Sequence, residues 1–272
     1  MHSLILFFIS IFAGFLGSLL GLGGGIIIVP ALTLIFNVDI RYAVAASLVS
    51  IIATSSSATG NFIKAGLTNI RIAVLLELGT VAGALTGYFI SSEINAKWLY
   101  LIFGFFLIFS SFMMIKKRGD EEEGTNHPWS EKLGLAGIYP NDKKQNIAYG
   151  IANVPFGLFS MYFAGILSAL LGIGSGIFKV MAMDRAMKIP IKVSSATSNF
   201  MIGVTAAASA GAYFIKGDMR PEITSPVVLG IFMGSWVGGK IITKVHTSLL
   251  RKIFIAVLIL VSTQMILKGL KL

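Results

Sequence analysis

Long apolar runs separated by short polar connectors fill almost the whole chain. Five lie in the first half, near residues 3–20, 22–38, 42–63, 72–92 and 98–115. Five more lie in the second, near 147–171, 173–183, 193–215, 223–242 and 253–267. Most approach the length of about 20 residues that a helix needs to cross a hydrocarbon layer. Helix is the form they predict. An open strand leaves backbone groups unpaired in lipid, and the runs lack the alternation of barrel strands. The second run of each half is short and follows a glycine cluster. It predicts either a full crossing or a half-helix that dips into the membrane.

The pattern is written twice. At an offset of 151, Gly14-Phe-Leu-Gly-Ser-Leu-Leu-Gly21-Leu-Gly23-Gly-Gly25 falls on Gly165-Ile-Leu-Ser-Ala-Leu-Leu-Gly172-Ile-Gly174-Ser-Gly176 without a gap. Gly60, Gly66, Gly79, Gly83 and Gly87 fall on Gly211, Gly217, Gly230, Gly234 and Gly238. The expected fold is therefore all-α: a polytopic membrane helix bundle of two homologous halves, with about eight full spans plus two short Gly-broken segments. The first repeat covers 1–117 and the second 147–272, and a polar loop at 118–146 joins them.

Charge bears on the short runs. If they count as crossings, 15 basic residues fall on one face and 6 on the other, with Lys179 left inside the membrane. With four crossings per half the split becomes 9 against 12. The first split is the positive-inside asymmetry. It implies an inverted repeat, a cytoplasmic central loop and both termini outside.

Composition narrows the function. The chain has 272 residues, 55% hydrophobic and 12% charged, with mean hydropathy +0.84. This is a multi-pass protein of the cell membrane, with the lipid bilayer as its main partner; a homo-oligomer stays open. The net charge of +10 reads as helix-end lysines and arginines facing lipid headgroups, not as a nucleic-acid surface. There is no cysteine, and the three histidines, His2, His127 and His246, lie in or near polar segments. No metal site, cofactor or catalytic constellation is expected, which argues against an enzyme.

The candidate substrate residues come from the glycine breaks and from one polar helix face. Glycine costs about 1 kcal/mol in a helix interior, so three close together predict a break. The helix that restarts after it offers free N–H groups and the positive end of its dipole to an anion. Gly23, Gly24 and Gly25 supply one break; Gly174, Ser175 and Gly176 supply the other. Ser47, Ser50 and Thr54 recur at helical spacing in the third segment, with Ser194, Ser198, Asn199 and Thr205 in its repeat. Their hydroxyls and amides suit an oxyanion, or bond to backbone and glue helices together. Two charges lie within apolar segments and break the pseudo-symmetry: Glu77 opposite Val228, and Lys179 opposite Ile28. Lys179 is a candidate to attract the anion, and Glu77 to carry a coupling proton. The bland alternatives are a Lys179 that snorkels to the interface, and a Glu77 at headgroup depth paired with Arg71 or Lys64. The stripes Gly79, Gly83, Gly87 and Gly230, Gly234, Gly238 read as helix-packing devices.

The run Ala13-Gly-Phe-Leu-Gly-Ser-Leu-Leu-Gly-Leu-Gly-Gly-Gly-Ile-Ile-Ile-Val-Pro30, followed by Ala45-Ala46-Ser47-Leu48, resembles the sulfite-exporter TauE/SafE family of membrane permeases. Its second copy is Ala164-Gly-Ile-Leu-Ser-Ala-Leu-Leu-Gly-Ile-Gly-Ser-Gly176 with Ala196-Thr197-Ser198-Asn199. The resemblance implies movement of a small anionic substrate such as sulfite, thiosulfate or an organosulfonate. It also implies secondary rather than nucleotide-driven transport. The expected mechanism is alternating access by rocking of one half against the other, with a coupling proton or ion. A passive anion channel is the alternative. A cation or metal carrier would need more acidic or histidine residues in the spans than Glu77 alone.

Overall fold

In the computed structural model, residues 2–20, 23–115, 127–140, 145–241 and 247–272 are described. The acidic run at 120–123, Gly21, and the basic residues at 116–118, 143, 144 and 244 lie outside them. The first half contains α1 (His2–Leu20), α2 (Gly25–Pro30), α3 (Ile40–Lys64), α4 (Ile70–Glu93) and α5 (Ala96–Ile115). A short helix α6 (Pro128–Lys132) and a hairpin of β1 (Gly137–Pro140) and β2 (Asn146–Tyr149) follow. The second half contains α7 (Val154–Leu171), α8 (Gly176–Met181), α9 (Ile191–Lys216), α10 (Pro221–Ile241) and α11 (Thr247–Lys271). The chain is a mostly α-helical membrane bundle. Of the described helices, α3, α4, α7 and α9 are long and apolar enough to cross a membrane. Outward-facing apolar side chains, such as Leu4, Phe8 and Phe12 on α1 and Leu78, Leu85 and Phe89 on α4, give the exposed surface that lipid wets.

Each short run holds a short helix that begins after its glycine cluster. α2 continues as a π-helical turn at Ala31–Ile35, and α8 as one at Ala182–Ala186. Each pair makes a helix of about 16 Å at 1.5 Å per residue, half of what a crossing needs. Neither crosses alone. Both end at a left-handed residue, Asn37 (φ 51°) and Lys188 (φ 59°), which turns the chain into the next long helix.

Nor do the two halves form separate bodies. Gly230, Gly234 and Gly238 of α10 lie against the backbone or side chains of Phe7, Ser10, Ile11, Phe15 and Ser18 on α1. Gly79, Gly83 and Gly87 of α4 lie against Leu158, Tyr162 and Ile166 on α7. A Cβ at Gly83 or Gly234 would meet the carbonyl oxygen of Tyr162 or Ile11. The glycine stripes are thus packing devices, and what they pack is the fourth helix of one half on the first helix of the other. The contact numbers rise together, so the paired helices run parallel. α3 crosses α9 at the centre, and α5 pairs with α11. The two sequence halves are therefore interleaved.

The polar connectors gather at two ends. At one end the Asn69 amide donates to the Leu135 carbonyl and the Tyr149 hydroxyl, both at 2.8 Å, and Arg71 donates to Gly134 at 3.0 Å. Asn69 also caps α4 and takes a bond to Thr197 of α9 through its own N–H. Asn153 reaches the Ala186 carbonyl at the same end. At the other end Arg41 caps α4 through the Ser92 and Ile94 carbonyls, Arg220 covers the Tyr42 ring, and Lys268 bonds Thr33 and Asn37. The folded hairpin within the central polar segment was not legible as structure in the sequence, where the segment reads only as a solvated loop.

Candidate functional site

The glycine breaks are present and meet at the centre of the bundle. Gly23 (φ 73°) and Gly174 (φ 69°) take left-handed conformations at matched positions. An ideal Cβ at either would touch Ile51 and Ile202, themselves repeat partners on α3 and α9. Gly25 abuts the Gly172 carbonyl and Ser47, so one break presses on the other. Ser175, unlike its partner Gly24 (φ −71°), is left-handed at φ 48°. Its hydroxyl is buried and has no hydrogen-bond partner. Gly23, Gly24, Gly25, Gly174, Ser175 and Gly176 are therefore assembled in one place, packed closed by Ile51 and Ile202.

Most of the polar helix face is already satisfied by carbonyls. Ser50 donates to Ala46, Thr54 to Ser50 and Ser194 to Ile189, and the Asn199 amide donates to Ser195. These are the local bonds that hydroxyls make in apolar helices. Ser47 and Ser198 differ. Ser47 donates to the Gly172 carbonyl of the opposite half, and Ser198 donates to the Gly176 carbonyl at 3.2 Å. Both hold a broken segment in place. Ser55 does the same work between long helices, donating from α3 to the Asn199 carbonyl of α9 at 2.5 Å.

The charges make the site. Lys179 is 0% exposed and Glu77 only 7%, so neither snorkelling nor headgroup depth describes them. The Lys179 ammonium reaches Glu77 Oε1 at 3.3 Å and Thr205 Oγ1 at 2.5 Å. Thr205 Oγ1 lies 3.0 Å from both carboxylate oxygens, and Thr80 donates to Glu77 Oε2 at 2.7 Å. Three elements supply this cluster: α4 brings Glu77 and Thr80, α8 brings Lys179, and α9 brings Thr205. The pairing of Glu77 with Lys179, not with Arg71 or Lys64, was missed in the sequence. So was Thr80, although its place three residues after Glu77 on a helix puts it on the same face. Thr205 was singled out for its hydroxyl, and the fold adds the role of bridge between the two charges.

The cluster joins both halves, and the repeat-related positions do not rebuild its charges. The repeat partners of Lys179, Glu77 and Thr80 are Ile28, Val228 and Ile231, and only Thr54 keeps the hydroxyl of Thr205. A buried ion pair is weak evidence for stability, because desolvating two charges offsets most of their attraction. One retained in a bundle whose repeat partner does without it points to a task other than folding. Among the described residues, no group of three or more His, Asp or Glu side chains is gathered that would hold a metal ion.

Known proteins fit this picture. The family model described as sulfite exporter TauE/SafE matches residues 6–265. The chain is 29% identical over 276 residues to the probable membrane transporter protein YunE of Bacillus subtilis (strain 168), covering 99% of each chain. It is 26% identical to the probable membrane transporter protein MJ0441 of Methanocaldococcus jannaschii, over 91% of this chain and 89% of that one. A second Bacillus subtilis protein, the probable membrane transporter protein YdhB, is 24% identical over 87% of each. No solved structure matches the chain.

Proposed function

The chain belongs to the sulfite exporter TauE/SafE family of membrane transporters, and on that premise we propose that it is a secondary carrier of a small sulfur-containing anion such as sulfite, thiosulfate or an organosulfonate. The observation that carries this reading is the fully buried Lys179 in the short helix α8, held by Glu77 and Thr205. An ammonium inside an apolar bundle is a counter-charge for an anion; Thr205 adds a neutral hydroxyl beside it in space, and Ser175, four positions earlier in the chain, adds an unpartnered one. Gly174, Ser175 and Gly176 would bring backbone N–H groups to the same anion.

Alternating access then works through the interleaved units. The α1–α10 and α4–α7 pairs would move against each other about the α3–α9 crossing, and Ile51 and Ile202 would part to open the centre. The closed packing at the glycine breaks suits an occluded state of such a cycle. It gives the passive-channel alternative no continuous wet path along Gly23 and Gly174. The inverted-repeat arrangement, with the hairpin end cytoplasmic, is supported by two relationships. The connector carrying Asn69, the start of α9 at Thr197 and the central hairpin share one end, and that is the end to which loop charge assigns the excess of lysine and arginine.

Proteoliposomes provide the test. Purified protein should accumulate at least one of sulfite, thiosulfate or an organosulfonate against its gradient, and Lys179→Met should abolish this. Failure of all three anions to move, or equal transport by the Lys179 variant, would sink the reading. Unitary currents without accumulation would favour a channel.

A further inference from the structure

Lys179 does not wait for an anion with its charge free. It already holds one, the Glu77 carboxylate, and the pair is neutral as a unit. A transported anion that reached the ammonium while Glu77 stayed ionised would place at least two negative charges, three for thiosulfate, on one positive charge away from water. Like charges sharing a buried site are resolved by protonating one of them.

We propose that Lys179 holds either the Glu77 carboxylate or the transported anion, never both at full charge, so that each anion bound brings one proton onto Glu77. The inference rests on the anion-carrier reading above and adds its coupling. The proton comes from solution and bonds to a Glu77 carboxylate oxygen. Lys179 stays an ammonium throughout, and its hydrogen bond passes from Glu77 Oε1 to the anion. No other bond changes. The reverse step returns the proton to solution when the anion leaves and Glu77 closes back on Lys179.

The neighbours of Glu77 suit both states. Thr80 and Thr205 touch the carboxylate through hydroxyls, and a hydroxyl can donate to a carboxylate or accept from a carboxylic acid without moving its oxygen. Other ionisable groups leave the exchange to Lys179. α7, packed on α4, has no charged residue, and its Tyr162 donates to Thr86 at 3.2 Å. α9 carries Lys192 and Lys216 only at its ends, and its Tyr213 is bonded to Ala169 and Ser91. The π turn after α8 carries buried Asp184 and exposed Arg185 against α7 and α9. On α4 itself Arg71, Tyr88 and Glu93 lie six or more positions from Glu77. The repeat partners of the pair, Ile28 and Val228, carry no charge, so the symmetry-related place offers no second exchange.

The measurement is proton uptake on binding thiosulfate, an anion that stays fully ionised near neutral pH. Calorimetry in two buffers of different ionisation enthalpy counts the protons. Wild-type protein should take up about one proton per thiosulfate, and its affinity should rise about tenfold for each unit of acidification wherever that one proton is taken up, as linkage requires. Glu77→Gln should bind thiosulfate with no proton uptake and a flat pH dependence. Wild-type binding with no proton uptake would overturn the exchange and leave the anion-carrier reading standing. So would a Glu77→Gln variant with the wild-type pH slope. Absence of binding by thiosulfate, sulfite and organosulfonate at every pH would overturn both. The wild-type proton count decides the matter even where the variant does not fold.

Discussion

The Lys179 ammonium meets the Glu77 carboxylate at 3.3 Å across a separation of 102 residues, inside a bundle whose repeat places Ile28 and Val228 at the equivalent positions. That asymmetry separates stability from function in a way that can be measured. Removing one member of a buried ion pair leaves the other uncompensated and costs about 3–5 kcal/mol. Lys179→Met alone should therefore lower the thermal unfolding temperature sharply. The double variant Glu77→Val with Lys179→Ile carries the residues of the repeat partners, Val228 and Ile28, and should recover most of that stability, yet transport no anion. Transport by the double variant would mean that the pair is scaffold.

Ser175 should trade stability against binding. Its left-handed backbone costs a non-glycine residue about 1 kcal/mol, and its buried hydroxyl has no partner. Ser175→Gly is expected to raise thermal stability by about that amount while weakening sulfite or thiosulfate binding. A thermal-shift series with and without anion reads both effects. Unchanged anion affinity would remove the Ser175 hydroxyl from the site.

The glycine stripes give a third expectation. Gly83→Ala and Gly234→Ala each drive a methyl group into a facing carbonyl, of Tyr162 and Ile11, and should cost about 1–3 kcal/mol as overpacking does. Gly60→Ala and Gly211→Ala meet nothing within 4 Å and lie inside α3 and α9, so they should be neutral or slightly stabilising. Equal effects of all four in denaturation assays would contradict the interleaved packing.

Asn69 is the link between the hairpin and the helices. Asn69→Ala removes the α4 cap and both bonds to the hairpin, for a loss of about 1–2 kcal/mol. Hydrogen exchange over residues 135–140 and 146–149 should accelerate more than in the spans. Burial pushes the Tyr149 phenol above its ordinary value, and the Asn69 hydrogen bond pulls it back only in part. Because the folded value is raised, this contribution is whole below the unfolded phenol value and is lost as pH rises through the folded one. Alkaline titration should therefore release the hairpin above the ordinary tyrosine range. Release at neutral pH would show that the contact does not hold it.

Much of the fold is legible along the chain. Apolar runs predict helices, because lipid leaves no other way to pair the backbone. The offset of 151 maps Gly23 on Gly174 and Asn37 on Lys188, and each matched pair is left-handed in the structure. Glycine stripes announce close packing, since only a missing side chain lets backbones approach so nearly. Those signals are local: they depend on spacing within one helix or one turn.

What lay beyond the sequence was partnership. Nothing in the order of residues says that the Gly83 stripe faces α7 or that Ser47 reaches Gly172. Nor does it say that Glu77 turns from the nearby Arg71 and Lys64 toward Lys179. Those choices depend on which helices pass each other at which depth, and a one-residue rotation of a helix changes the partner. The sequence by itself determined that a charge of each sign lies within the apolar segments of this membrane bundle. Only the tertiary structure decided that the two neutralise each other, because burial away from water rewards the nearest opposite charge in space and is indifferent to distance along the chain.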